Sequence, residues 1–206
     1  MDLELYKKSQ EELAKKIILK DSFKEYITIA GFDIIYKGHN ALCSGVIIDK
    51  AFNIIESIQN KSKPSFPYIP GLLAFREGPL IIETLRLFKN KPDILIVKGH
   101  GILHFRGAGL ASYVGVAADI PAIGVAKDLL IGEVKDGEVF IGDELKGYKL
   151  KTKEGSNPIY VSPGHKISLE TSKKIIEQFI NKKHKLPEPL HLAHKFILKM
   201  KKMVND

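Results

Sequence analysis

The sequence predicts an α/β fold whose central sheet is mixed, with an antiparallel meander leading into parallel strands and helices on its faces. Two observations carry that expectation. Between residues 26 and 58, three runs rich in β-branched and aromatic residues are separated by turn-forming residues, the pattern of a meander. Between residues 71 and 127, helical spacing alternates with short apolar runs, which implies parallel strands joined by right-handed crossovers. A chain of 206 residues, 44% of them apolar, fits one domain spanning 1–206 with a substantial core.

The chain opens with Leu3, Tyr6, Leu13, Ile17 and Ile18 at near-helical spacing among lysines and glutamates, which predicts an amphipathic surface helix over 3–20. The first strand is expected from Tyr26 to Tyr36. Lys37-Gly38-His39-Asn40 then has hairpin-turn composition, and further strands are expected over Ala41–Ile48 and Phe52–Ile58. A helix is predicted over 71–88, with Glu77 on its apolar surface and a kink or break at Gly78-Pro79, because proline removes a backbone hydrogen bond. Ile94–Val97 reads as a doubly buried strand, 107–118 as a closely packed helix of small residues, and Pro121–Ala126 as another buried strand that delivers Lys127 to its carboxyl end. Residues 133–153 have the look of a small β excursion with glycine turns. A short strand at Ile159–Val161, a turn at Ser162–His165, a helix capped by Ser168 and running to about Ile180, and a final helix over Glu188–Met203 complete the chain. The intervening basic run Lys182-Lys183-His184-Lys185 reads as a solvated linker.

The formal charge of +8 and the sequence pI of about 9.3 suit a partner bearing phosphates. Cys43 is the sole cysteine, so no intrachain disulfide can form, and its apolar neighbours make it a buried hydrophobe rather than a nucleophile. The first twenty residues are too charged for a signal peptide, and no apolar run is long enough to span a membrane, so a cytoplasmic, non-membrane protein is expected.

Two loops concentrate the chemistry. Pro67-Tyr68-Ile69-Pro70-Gly71 sets an aromatic-aliphatic tip between two stiffening prolines and so resembles a wedge. Gly99-His100-Gly101-Ile102-Leu103-His104 follows a buried strand, at the carboxyl edge where α/β sheets collect ligands. Asp33, in an apolar stretch of the first strand, has two readings: a carboxylate that caps a turn, or a metal ligand.

The residues Ala30-Gly31-Phe32-Asp33, the block from Phe66 to Pro79, Gly99-His100-Gly101, His104, Arg106, Gly124-Val125-Ala126-Lys127, Thr152-Lys153-Glu154-Gly155, Val161-Ser162-Pro163-Gly164-His165 and Leu186-Pro187-Glu188-Pro189 with Leu192-Ala193-His194 together resemble endonuclease V, the repair nuclease family that recognises deoxyinosine. The resemblance runs over most of the chain. It implies a ribonuclease H-like fold. It also implies a phosphodiester hydrolase that uses Asp33 and Glu77 as ligands for Mg2+ or Mn2+, His194 as an assisting group and Lys127 as a phosphate contact. Pro67, Tyr68, Ile69 and Pro70 would form the wedge that fills the gap left by an extruded base, and Gly71, Leu73, Gly99, Gly101 and His104 would line the base pocket. The implied partner is DNA containing deoxyinosine or mismatches, with RNA as a further candidate, and the implied state is a monomer.

The chain departs from the family pattern at one place. Where the family carries a metal-binding aspartate before the glycine loop, this chain has Lys98. Asp93 does not replace it, since five residues of strand set it about 16 Å away and on the opposite face. An ammonium beside Asp33 and Glu77 neutralises them without an ion. Two functions therefore stay open: an active inosine-directed endonuclease, and a catalytically weak homologue that binds inosine-containing or branched nucleic acid.

Overall fold

A computed structural model describes residues 1–203. Helix α1 (Leu3–Ala14) is followed by strands β1 (Thr28–Lys37), β2 (Asn40–Asp49) and β3 (Ile54–Ser62), then helix α2 (Leu73–Arg86), strand β4 (Ile94–Lys98), helix α3 (Leu110–Ala118) and strand β5 (Ala122–Ala126). The excursion supplies β6 (Glu133–Lys135), β7 (Glu138–Ile141) and β8 (Glu144–Leu150), and β9 (Ile159–His165), α4 (Leu169–Gln178) and α5 (Glu188–Met203) close the chain. All nine strands lie in one sheet of order β3-β2-β1-β4-β5-β9-β8-β7-β6. The expected meander is present, β1 pairing antiparallel with β2 and β2 with β3, and β1, β4 and β5 run parallel.

Alternation along the central strands divides the core. Ile29, Ile94, Ile96, Ile123 and Val125 pack on one face with residues of α4 and α5, including Ile175, Leu190 and Ala193. Ala30, Phe32, Leu95 and Val97 face the other way, against Leu80 and Ile81 of α2 and Leu110 and Val114 of α3. Cys43 belongs to that second cluster, and burial pushes its thiol up to about 12, so it is inert, as expected. Among the described residues no helix is long and apolar enough to cross a membrane.

Four expectations are corrected. Helix α1 ends at Ala14 instead of about residue 20; beyond it the Ile18 amide bonds to His165 Nδ1 at 3.4 Å, and Ile17 and Leu19 line a cleft with Ile102 and Phe105. Helix α2 runs unbroken through Gly78-Pro79. Gly78 serves packing there: a β-carbon on it would lie 2.3 Å from the Tyr113 ring of α3. Helix α3 begins at Leu110 instead of residue 107. The turn expected at Ser162–His165 is the second half of β9. Within β9, strand β8 pairs with Ile159–Val161 alone, so Pro163 has β5 on one side and, on the other, the glycine loop, whose Ile102 amide donates to the Pro163 carbonyl at 2.9 Å. A proline fits a strand where no neighbour needs its missing N–H.

Candidate active site and nucleic-acid interface

The sheet brings Asp33 and Lys98 together. In the parallel pairing of β1 and β4, Phe32 is level with Val97, so the next rung sets Asp33 beside Lys98. The Lys98 ammonium donates to Asp33 Oδ1, and His194, on α5, lies with Nδ1 2.6 Å from Asp33 Oδ2. The Asp33 carboxylate is wholly buried, whereas the Lys98 and His194 side chains keep 22% and 36% of their exposure, so the cluster opens outward through its two basic groups. Asp93 lies at the other end of the sheet, accepting from the Ile27 and Thr28 amides at 2.8 and 2.9 Å.

Glu77 comes to the cluster from α2. Tyr36 donates its hydroxyl to Glu77 Oε1 at 3.0 Å, and Arg76 Nε donates to the same Tyr36 oxygen at 3.0 Å. Burial raises the Glu77 carboxyl to about 7, against the Tyr36 hydrogen bond and the attraction of Lys98, which lower it; the nearby Asp33 charge raises it further. The Tyr36 hydroxyl is itself raised, first by burial and then by Glu77. Sequence inspection passed over Tyr36, because nothing in a strand tyrosine marks it as a partner for a helix carboxylate forty-one positions away.

The donor set as it stands does not fit a hard divalent cation. Such an ion needs several oxygen ligands at once. Both oxygens of Asp33 are already engaged by an ammonium and an imidazole, Glu77 is bonded to Tyr36, and among the described residues no three His, Cys, Asp or Glu side chains are grouped to hold a metal.

The wedge loop is braced at both ends. Arg76 Nη1 donates to the Phe66 carbonyl at 2.5 Å, and Arg106 Nη2 donates to the Gly71 carbonyl at 2.7 Å. Arg106 Nε also donates to Gln10 Oε1 at 2.7 Å, and Tyr6 packs edge-on against Phe66, so α1 forms the base of the loop. Between the braces the Tyr68 side chain stands 68% exposed. Beneath it is a cavity of about 140 Å³ whose wall includes Tyr68, Ile69, Gly71, Leu73, Gly99 and His104. Of the predicted pocket residues, Gly101 is the one placed elsewhere: it packs on β9, with its amide donating to Ser162 Oγ at 3.0 Å. His100 lines the cavity as well and was not among the predicted pocket residues. Burial lowers His100 and His104 to about 4, so both rings are neutral at pH 7. Lys127 is exposed one residue past the end of β5, on the edge that carries Lys98 and the glycine loop.

Comparison with known proteins matches residues 11–195 to the family model described as Endonuclease V. The chain is similar to endonuclease V of Dictyoglomus turgidum, 42% identical over 208 residues that cover 97% of this chain and 90% of the relative. It is also similar to endonuclease V of Thermofilum pendens, 41% identical over 199 residues that cover 93% and 86%. Among solved structures, endonuclease V of Bacillus subtilis superposes with a TM-score of 0.90 at 29% identity, covering 98% of this chain and 93% of that one. Endonuclease V of Ciona intestinalis, solved in complex with a 24mer DNA containing an inosine followed by a ribo-adenosine, gives a TM-score of 0.88 at 30% identity, with 98% and 99% covered. The architecture is thus the ribonuclease H-like one that the resemblance implied.

Proposed function

The chain belongs to the endonuclease V family, and from that premise we infer that it is a deoxyinosine-directed endonuclease acting on DNA. One observation carries the substrate class: an exposed Tyr68 on a loop braced at both ends, above a cavity lined by glycine backbone and neutral histidines. A rigid aromatic tip can take the place of an extruded base in the stack, and extrusion costs least at a mispaired base, which favours a lesion. The neutral His100 and His104 rings present no charge to an uncharged purine. Lys127 is exposed to meet a backbone phosphate, and the Asp33–His194 pair provides an oriented imidazole at the strand ends.

The family is metal-dependent, and the ion we assign to it is Mg2+ or Mn2+, the cations that carboxylate oxygens suit, although here it could enter only once Lys98 releases Asp33. RNA is a second candidate substrate, given the ribonucleotide in the DNA bound by the Ciona intestinalis relative. The chain is taken to act as a cytoplasmic monomer. The Lys98–Asp33 ion pair favours one other function, binding of inosine-containing or branched nucleic acid without efficient cleavage.

One experiment separates these. End-labelled oligonucleotides with deoxyinosine or deoxyadenosine at one position are incubated with Mg2+ or Mn2+, and the same oligonucleotides are titrated with protein in EDTA. The expected outcome is inosine-selective binding that Tyr68→Ala weakens by about 5- to 150-fold, the equivalent of about 1–3 kcal/mol of stacking. Equal treatment of both oligonucleotides in binding and in cleavage would remove the assignment. Selective binding without cleavage would select the second function.

A further inference from the structure

We propose that the Lys98 ammonium is a resident cation in the acidic cluster, one that neutralises the buried Asp33 without a metal and that a divalent ion must displace to enter. The nucleic-acid part of this rests on the function proposed above; the ion part does not.

Placement is fixed by the backbone. Lys98 is the last residue of β4, level with Val125 of β5, and the amide of the following Gly99 is anchored to the Val125 carbonyl at 3.0 Å. Only the side chain of Lys98 is free to leave. A carboxylate as fully buried as that of Asp33 is costly without a counter-charge, and here the Lys98 ammonium sits on Oδ1 while the His194 ring nitrogen lies at hydrogen-bonding distance from Oδ2. The ammonium thus neutralises a buried carboxylate on the neighbouring strand, which is the electrostatic task of a bound cation.

The same ammonium opposes a second cation. It contributes no lone pair, it occupies an oxygen that an ion would need, and its positive charge repels the newcomer. Replacing it by a carboxylate changes the local charge by two and adds an oxygen ligand. That change is worth at least the roughly 10- to 100-fold in metal affinity that an outer-shell partner alone supplies. Since the Lys98 side chain keeps 22% of its exposure, withdrawal toward solvent is open to it, so divalent ions are weakened and not barred.

The test uses the full chain stripped of metal. Mn2+ is titrated calorimetrically into the parent, Lys98→Asp and Lys98→Arg, and each is titrated with an inosine oligonucleotide in EDTA and in Mn2+. Lys98→Asp is expected to bind Mn2+ about 10- to 100-fold more tightly than the parent, while Lys98→Arg, which keeps the cation, stays at the parent's value. Inosine binding by the parent is expected to be the same with EDTA as with Mn2+. Equal Mn2+ affinity in parent and Lys98→Asp, or tighter binding in Lys98→Arg, would overturn the proposal. Should Lys98→Asp fail to fold, the parent decides alone: Mn2+ broadens nearby proton resonances, and broadening of His194 at equimolar ion would overturn it, whereas broadening only at large excess supports it. Loss of inosine selectivity in every arm would sink the proposed function and leave the ion result standing.

Discussion

Gly31→Ala is the substitution whose consequences run furthest from packing to chemistry. Gly31 lies two residues before Asp33 on the same face of β1, and the first turn of α5 rests on it. A β-carbon at this position would sit 2.4 Å from the carbonyl carbon and oxygen of Pro189, where ordinary contact begins at 3.4 Å. The overlap is about 1 Å, and it is with backbone, so no side-chain rotation relieves it. Either α5 rises from the sheet or β1 bends. Overpacking of this kind costs about 1–3 kcal/mol, and a shift of about 1 Å in α5 would lengthen the 2.6 Å His194–Asp33 contact beyond hydrogen-bonding range. A hydrogen bond to a charged group contributes about 1.5–3 kcal/mol, so a combined loss of about 2.5–6 kcal/mol is expected in urea unfolding. Misplacement by about 1 Å can also cost on the order of 100-fold in rate. His194→Ala supplies the comparison, since it removes the contact without disturbing the helix. The reasoning is refuted if Gly31→Ala unfolds at the parent's urea midpoint, or if it loses stability while inosine cleavage per folded molecule is unchanged.

Other expectations follow from the same geometry. Because Glu77 is raised to about 7 from an ordinary 4.5, the folded state holds its proton more tightly than the unfolded state does. That contribution is fully present below about pH 4.5 and is lost as pH rises through about 7, a difference of roughly 3 kcal/mol. Glu77→Gln should therefore match the parent near pH 4.5 and exceed it by up to about 3 kcal/mol at pH 8 in EDTA; a gap independent of pH in urea unfolding would rule this out. The comparison has to be with the variant, because His100 and His104, lowered to about 4, bend the parent's curve the other way, their contribution being lost as pH falls from about 6.5 through 4. Arg106→Ala should lower the melting temperature and weaken inosine binding together, and Arg106→Lys should not restore either, since one ammonium cannot reach Gly71 and Gln10 as the guanidinium fork does; melting and anisotropy titrations would expose a full rescue.

Much of the site was legible because strand residues keep their neighbours. The family resemblance set Lys98 beside Asp33, and counting along β4 was enough to send Asp93 to the far end of the sheet, since rise and alternation follow from backbone geometry. The exposed tip of the 67–70 loop was legible from its prolines. What could not be read were matters of tertiary packing. Gly78-Pro79 looks like a break locally, yet the glycine answers to Tyr113 on another helix. Ser162-Pro163-Gly164 has turn composition, yet it continues a strand because the glycine loop, sixty residues earlier, takes the place of a pairing neighbour. Tyr36 and Gln10 carry no local signal; each matters through a partner distant in sequence.

The two arginine braces also bear on the timing of recognition. A loop whose ends are tied to two guanidinium groups has given up its conformational freedom during folding. The entropy of ordering the tip is then absent from the binding step, where it would otherwise subtract about 0.5–1.5 kcal/mol for each immobilised side chain. Under the proposed function, encounter with a duplex would be governed by the long-range pull of the protein's net positive charge on phosphate, and departure by how well the tip fills the gap left by an extruded base. Sequence discrimination should accordingly show itself in residence time, with association rates alike for damaged and undamaged DNA.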